Sequence, residues 1–135
     1  MQNKCIRFCL KKNSRAHIGV DDFVAINWLP VGYRANQIIS SLVYKFCNKQ
    51  GPAYMEDVFS MANRGIATRH SYQRLMQPSR RTVSGQRALS YVGPTLWNQL
   101  PESVKTSPSI NCFKHALKRH SLESLVASEN NIYAY

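Results

Sequence analysis

Residues 80–101 have the sequence RRTVSGQRALSYVGPTLWNQLP and combine turn signals, apolar bulk and positive charge within 22 residues. Ser84-Gly85 is a turn-prone pair, and Gly93-Pro94 predicts a break followed by a helical turn that carries Trp97. Because buried aromatic side chains dominate small cores, we expect Trp97 in the core rather than stacked on a nucleobase. The stretch therefore predicts both an anchor for the fold and a charged surface.

Immediately before the Gly-Pro pair, the spacing predicts a short β-hairpin near residues 75–92. Its strands would be Leu75–Gln77 and Arg87–Val92, paired across the turn at Ser84-Gly85. Such a hairpin would place several arginines on one surface. Tyr91 could be a core residue or a platform for base stacking, and both alternatives remain open at this stage.

Around this stretch the pattern is helical. Apolar residues recur with helical period over residues 31–47, Pro30 suits a first helical position, and Gly51-Pro52 suits a stop. The pattern over residues 30–49 therefore predicts the core helix. Ser107-Pro108 predicts the start of a C-terminal helix that reaches about residue 122, and apolar positions that would allow it to continue extend to Val126. The expected fold class is mostly α, as a small irregular helical domain with one short hairpin.

Composition indicates the size of the domain and the kind of partner that it favours. The chain has 135 residues, 44% of them hydrophobic, and 18 Lys and Arg against 7 acids give a formal charge of +11. A positive field of this size favours polyanions. With no apolar run approaching about 20 residues and no apolar N-terminal signal, we expect a soluble, intracellular protein without a membrane partner.

The predicted organisation has four segments. They are a helical segment over residues 1–59, a basic loop over 60–74, a segment over 75–122 with the hairpin, the Trp97 turn and the C-terminal helix, and a frayed tail over 123–135. The basic loop is as consistent with an ordinary solvated surface as with a segment that orders on a nucleic acid.

An ordered series of short motifs also resembles a known family. The motifs are Gln77-Pro78, Arg81-Thr82, Gly85-Gln86-Arg87, Ser90-Tyr91, Gly93-Pro94, Leu96-Trp97-Asn98, Leu100-Pro101, Phe113-Lys114 and Leu117-Lys118, preceded by Trp28-Leu29-Pro30-Val31 with Arg34 and by Pro52 with Tyr54. Their order and spacing resemble the C-terminal tail of non-LTR (LINE-type) retrotransposon reverse transcriptases. The resemblance spans roughly residues 2–122.

The resemblance implies a parent that is an RNA-directed DNA polymerase of a mobile element, using magnesium on an RNA template and a DNA primer. The matching region follows the polymerase domain, so the family's catalytic aspartates have no counterpart here, and we expect no enzyme activity and no cofactor. In the parent, the tail would pack on the polymerase body, and a chain that behaves like the family would be nuclear.

The adjacent acids Asp21-Asp22 do not change that expectation. Reverse transcriptases hold two metal ions with an Asp pair on a strand turn. Here Ile18-Gly19-Val20 precedes the pair and a helical pattern follows it. We therefore expect both acids in the first turn of a helix, where they interact favourably with its dipole.

The cysteines predict no disulfide framework. Cys5, Cys9, Cys47 and Cys112 form no C-x-x-C pair and lie on or beside apolar helical patterns, so reduced core thiols are the simplest interpretation. A zinc site using Cys5 and Cys9 with His115 or His120 is the alternative, although structural zinc ligands usually come in tighter pairs. We expect no metal site.

The candidate functional residues are arginines. Between Val58 and Pro101 the sequence has no acidic residue but six arginines and no lysine, which favours bidentate phosphate contacts. The candidate nucleic-acid-binding residues are Arg74, Arg80, Arg81, Arg87 and Tyr91, and the expected partner is the backbone of RNA or DNA. The alternatives are a protein-interaction module, including one that self-associates, and a decayed open reading frame without selected function.

Overall fold

The structure, a computed structural model, describes residues 1–62 and 74–132, with side chains up to residue 128. Within this part the helices are α1 (Gln2–Cys9), α2 (Val20–Ala25), α3 (Val31–Cys47), α4 (Met55–Val58), α5 (Val83–Gln86), α6 (Leu89–Gln99), α7 (Glu102–Lys105) and α8 (Ile110–Ile132). The predicted mostly α, small helical fold is confirmed. No helix in this part is long and apolar enough to cross a bilayer.

The chain divides into two compact units. The first comprises residues 1–37 and the described residues from 115 onward, and the second comprises the described residues between 38 and 114. The long helices α3 and α8 each contribute residues to both units. Helix α8 continues beyond residue 122, where the sequence suggested a frayed tail, and ends at Ile132.

The first unit has a small core of Ile6 from α1, Phe23 from α2 and Leu125 from α8. Side-chain hydrogen bonds to the backbone fix the connections around this core. Gln2 donates through Nε2 to the Leu29 carbonyl at 2.8 Å and accepts from the Val31 amide at 3.2 Å. A polar side chain thus ties the start of α1 to the start of α3.

Asp21 and Asp22 both lie in the first turn of α2, as predicted. Asp22 accepts a hydrogen bond from the Gly19 amide at 3.2 Å and forms an ion pair with Lys12. The hydrogen bond from Lys12 lowers the pKa of Asp22 more than burial raises it, and the Gly19 amide adds to the lowering. The carboxylate therefore has a structural role at the start of α2.

The predicted core helix is confirmed as α3, although its buried face coincides only in part with the predicted apolar stripe. Val43 of that stripe is fully buried, whereas Val31 and Ile38 are exposed. The other buried residues of the helix are Gln37, Ser40, Ser41 and Tyr44. Because polar residues occupy several of the packed positions, hydrophobic periodicity alone could not identify the buried face.

The second unit is built around Trp97, whose side chain is fully buried, so the predicted core position is confirmed. The Trp97 and Phe113 rings lie 6.0 Å apart between centroids, and Phe113 stacks on Tyr44 at 4.5 Å. The Tyr44 hydroxyl donates to the Ser107 carbonyl at 2.7 Å, which satisfies its buried polar group. Aromatic residues from α3, α6 and α8 thus form one continuous core.

The predicted β-hairpin is wrong. Leu75 forms an isolated antiparallel bridge with Met61, the predicted turn is the short helix α5, and the second predicted strand lies at the start of α6. The predicted break is a helix interior, because Gly93 and Pro94 lie inside α6 and are buried. Gly93 serves packing there: a Cβ at this position would lie 2.6 Å from Cε1 of Phe59.

Candidate nucleic-acid interface

The segment that leads to the arginines runs along α6. The side-chain amide of Asn98 accepts from the Leu75 amide at 3.1 Å and donates to the Leu75 carbonyl at 3.0 Å. Gln77 donates to the Thr95 hydroxyl at 2.8 Å. Since Leu75 meets the later residue of α6 and Gln77 the earlier one, the segment runs antiparallel to the helix.

A second set of contacts fixes the same segment from its other side. The Met76 amide donates to the Ser60 carbonyl, and the Ala62 amide donates to the Arg74 carbonyl, both at 2.9 Å. These bonds flank the bridge between Met61 and Leu75. The backbone from Arg74 to Gln77 is therefore hydrogen-bonded on two sides, and the chain continues from it to Arg80.

We define residues 80–87 as the arginine turn. Thr82 caps α5 by accepting from the Gly85 amide at 3.1 Å, and Gln86 donates to the Arg80 carbonyl at 3.3 Å. The aliphatic part of Arg80 lies over Gly85, where an added Cβ would be 3.3 Å from Cβ and 3.4 Å from Cδ of Arg80. These contacts give the turn a defined backbone and fix the base of the Arg80 side chain.

The arginine turn presents its charges to solvent. Arg80, Arg81 and Arg87 are all exposed. Among the side chains that the structure describes, no carboxylate lies within ion-pair distance of any of the three. Their guanidinium groups are therefore available for an external anion, and they differ in this respect from Lys12, which is paired with Asp22.

Arg74 lies apart from the arginine turn. It is at the Asn98 end of α6, whereas the turn precedes Leu89 at the other end. Leu89 and Asn98 lie about 14 Å apart along the helix axis, given a rise of about 1.5 Å per residue. The structure thus brings three of the four predicted arginines together and leaves Arg74 separate.

Arg74 lies close enough to Lys105 for the two charges to interact, and the Lys105 ammonium nitrogen lies 5.8 Å from the centroid of the Trp97 ring. Burial lowers the pKa of Lys105, and the positive charge of Arg74 adds to the lowering, whereas Glu102 and Cys47 oppose it. Arg74 therefore belongs to a second, mixed-charge surface.

Tyr91, the predicted stacking residue, lies on α6 and is half-buried. Its carbonyl accepts a hydrogen bond from the Thr95 hydroxyl at 2.7 Å. Because the side chain is neither fully in the core nor fully exposed, its position does not choose between the two roles that the sequence left open. Arg64, Arg69, His70 and Tyr72 lie outside the described residues.

An open cleft of about 560 Å³ borders the arginine turn. It is lined by Asp57, Val58, Ser60, Met76, Pro78, Arg80, Leu89 and Ser90. Apart from Arg80, sequence reasoning missed these residues. They come from three separate stretches, at 57–60, 76–80 and 89–90, and no local motif in the sequence joins them. The bridge at Met61 and Leu75, with the hydrogen bonds between Ser60 and Met76, brings the first two stretches together.

The cysteines differ from the expectation of core thiols. Cys5, Cys9 and Cys112 are exposed, and all four cysteines are free. Cys47 alone is half-buried, and burial raises the pKa of its thiol to about 12. In the part of the chain that the structure describes, no three His, Cys, Asp or Glu side chains are close enough together to hold a metal ion.

Comparisons with known proteins identify no relative. The chain matches no protein-family model, no curated protein and no solved structure. The functional argument consequently depends on the geometry of the arginine turn and its surroundings.

Proposed function

We propose that this chain binds the phosphate backbone of RNA or DNA through the arginine turn. The observation that carries the proposal is that Arg80, Arg81 and Arg87 are exposed on one hydrogen-bonded turn without a carboxylate partner among the described side chains. Guanidinium groups present planar pairs of N–H donors that match phosphate oxygens. A turn of defined shape reduces the conformational entropy lost when those contacts form.

The charge of the whole chain supports the same partner. A formal charge of +11 attracts any polyanion and accelerates its association. Contacts of this kind release counterions from the nucleic acid, so affinity falls as salt rises. They also carry little sequence information, because every nucleotide has the same backbone.

We further propose that the chain is a non-catalytic relative of the region that follows the polymerase domain in non-LTR retrotransposon reverse transcriptases. Support comes from the structural roles of the motif residues: Thr82 caps α5, Gly93 allows Phe59 to approach, and Asn98 holds Leu75. If the same packing were present in the family, these residues would be needed together, and their motifs would occur in the same order. The proposed role is binding rather than catalysis.

The test is a salt titration of binding to a labelled single-stranded RNA. The variant Arg80→Gln/Arg81→Gln removes two charges from the arginine turn, and Lys45→Gln/Lys49→Gln is its control. The control removes two exposed charges from the same unit, at the end of α3 and just beyond it. Both variants lower the net charge equally, so any difference between their affinities for the RNA depends on where the removed charges lie.

We expect the arginine variant to bind more weakly and to lower the slope of log affinity against log salt by about 1.4, since each contact to a single strand contributes about 0.7. The lysine variant should retain most of the affinity and a slope closer to that of the parent chain. Equal losses in the two variants would show that only net charge matters and would refute the assignment to the arginine turn. Circular dichroism checks that each variant folds.

A second candidate function is protein binding. The observation that favours it is apolar exposure in the first unit, where Phe8 on α1 is 87% exposed and Val31 at the start of α3 is 68% exposed. Such side chains can form an apolar contact with a partner protein or with a second copy of the chain. Sedimentation at rising concentration tests self-association, and Phe8→Ser should reduce it if Phe8 takes part. A chain that stays monomeric at all concentrations would exclude self-association.

A further inference from the structure

We propose that the cleft beside the arginine turn receives one unpaired nucleobase that carries an exocyclic amino group, with the adjoining phosphates on Arg80 and Arg81. This inference rests on the proposed function and adds a base preference to it. Backbone contacts alone would bind all sequences alike. The cleft supplies the additional chemistry, because it combines an apolar wall, a carboxylate and an arginine.

The apolar wall of the cleft suits the face of a base. Val58, Met76, Pro78 and Leu89 line it, and the side chains of Met76 and Leu89 are 55% and 38% exposed. Ser60 donates a hydrogen bond to the Met76 sulfur at 3.8 Å, which fixes the position of the thioether in the lining of the cleft. A planar base laid on this wall would remove apolar surface from water.

The polar groups of the cleft suit the edge of a base. Asp57 is exposed on the first turn of α4, and Ser60 and Ser90 add two hydroxyl groups. A carboxylate accepts hydrogen bonds and does not donate them, so it can pair with an exocyclic amino group such as N4 of cytosine. Uracil presents a carbonyl oxygen at the same position, which a carboxylate repels.

The charges of the cleft argue for a base rather than for backbone alone. Asp57 and Arg80 line the same cleft, so a phosphate drawn to Arg80 would be repelled if it also approached Asp57. A nucleotide satisfies both groups at once, because its phosphate is an anion and its amino group is a donor. Arg81, next to Arg80 and exposed, extends the positive side away from the cleft.

The size and openness of the cleft agree with this occupant. A volume of about 560 Å³ lies within the roughly 300–1,000 Å³ that is usual for small-molecule sites. A base inside a duplex is stacked and paired, so only an unpaired base can present its face and its edge together. The proposal therefore commits to a single-stranded ligand.

The experiment compares two RNA dodecamers, oligo(C) and oligo(U), by fluorescence anisotropy at one fixed salt concentration. The two ligands have the same backbone and differ at ring position 4, where an amino group replaces a carbonyl. The variants are Asp57→Asn and, as a matched control, Glu56→Gln, which removes the neighbouring carboxylate from the same helical turn without altering the cleft. Each variant changes the net charge by the same amount.

We expect the parent chain to prefer oligo(C) by about tenfold, the value of one hydrogen bond to a charged group. Asp57→Asn should lose most of that preference, because an amide can turn to donate to the uracil carbonyl, and Glu56→Gln should keep it. Equal binding of both dodecamers by the parent chain would overturn the base site and leave backbone binding in place. Loss of the preference in Glu56→Gln alone would also overturn it.

Two further outcomes separate this inference from the proposed function. Binding of both dodecamers that weakens equally in Arg80→Gln/Arg81→Gln, with no base preference, would support backbone contacts and refute the base site. Failure of the folded parent chain to bind either dodecamer at low salt would refute both.

Discussion

Asn98 binds the backbone of Leu75 through both ends of its side-chain amide, with hydrogen bonds of 3.1 and 3.0 Å. Helix α6 anchors the core of the second unit through Trp97. The Asn98–Leu75 pair joins this helix to the segment that precedes Arg80. The side chain of Leu75 is itself buried. The Asn98 amide therefore links core packing to the segment that leads to the candidate interface, together with the backbone bonds on the other side of that segment.

We predict that Asn98→Ala destabilises the chain and weakens nucleic-acid binding. The change leaves the amide and carbonyl of Leu75 without their side-chain partners, at a cost of about 1–3 kcal/mol. Gln99→Ala is the control, because Gln99 is the next residue of α6 and is exposed. Urea unfolding should separate the two variants, and equal stability would contradict a structural role for the Asn98 contacts.

Gly93→Ala should also destabilise the chain, although alanine is the better helix former by up to about 1 kcal/mol. The added Cβ would lie 2.6 Å from Cε1 of Phe59 and 3.2 Å from Cγ2 of Val43, and both side chains are buried and cannot move away easily. Overpacking of this kind costs about 1–3 kcal/mol. The steric term therefore exceeds the gain in propensity.

Gly32→Ala provides the matched control for Gly93→Ala. Gly32 lies in α3, and an added Cβ there meets nothing within 4 Å, so this variant should be neutral or slightly stabilising. Thermal unfolding of the two variants tests the pair. A rise in Tm for Gly93→Ala would show that Phe59 does not pack tightly against α6.

Gly93 also shows why the sequence predicted α3 and failed at α6. The apolar period of residues 31–47 is long and regular, so the helix could be recognised without tertiary information. In α6, by contrast, Gly93-Pro94 has the local signature of a break. Inside α6, however, Gly93 packs closely against Phe59, a residue 34 positions earlier in the sequence, and such a long-range contact leaves no local signal.

The candidate site was predictable only where it is local in sequence. Arg80, Arg81 and Arg87 lie within eight residues, so their clustering follows from proximity along the chain. The separation of Arg74 follows from the antiparallel course of its segment along α6, set by Asn98 and Thr95. Such long-range contacts leave no periodic signal, and for the same reason Asp57 could not be assigned to the site.

The ion pair of Lys12 and Asp22 predicts acid sensitivity. Because the pKa of Asp22 is lowered from its usual 3.8 in the folded chain, its contribution to stability is fully present above that value. The contribution is lost as the pH falls through the lowered pKa, where the carboxylate becomes protonated in the folded state too. Asp22→Asn should therefore reduce Tm at neutral pH and weaken its dependence on pH in the acid range.

Asp21→Asn is the control for this pH dependence, since Asp21 lies in the same helical turn and is exposed. Melting curves recorded between about pH 6 and pH 2 should show a smaller acid-induced loss for Asp22→Asn than for Asp21→Asn. Identical pH profiles in the two variants would contradict a stabilising role for the Asp22 ion pair.

The four thiols should differ in reactivity. Cys5, Cys9 and Cys112 are exposed, whereas burial raises the pKa of Cys47 to about 12, which leaves almost no thiolate at neutral pH. Because the thiolate is the reactive form, a thiol-specific reagent should modify three groups quickly and one slowly.

Cys47→Ala should remove only the slow phase, and Cys112→Ala should reduce the fast phase by about a third, since three thiols contribute to it. A fast reaction of all four thiols in the folded chain would show that Cys47 is not protected, and four equally slow reactions would restore the original expectation of core thiols.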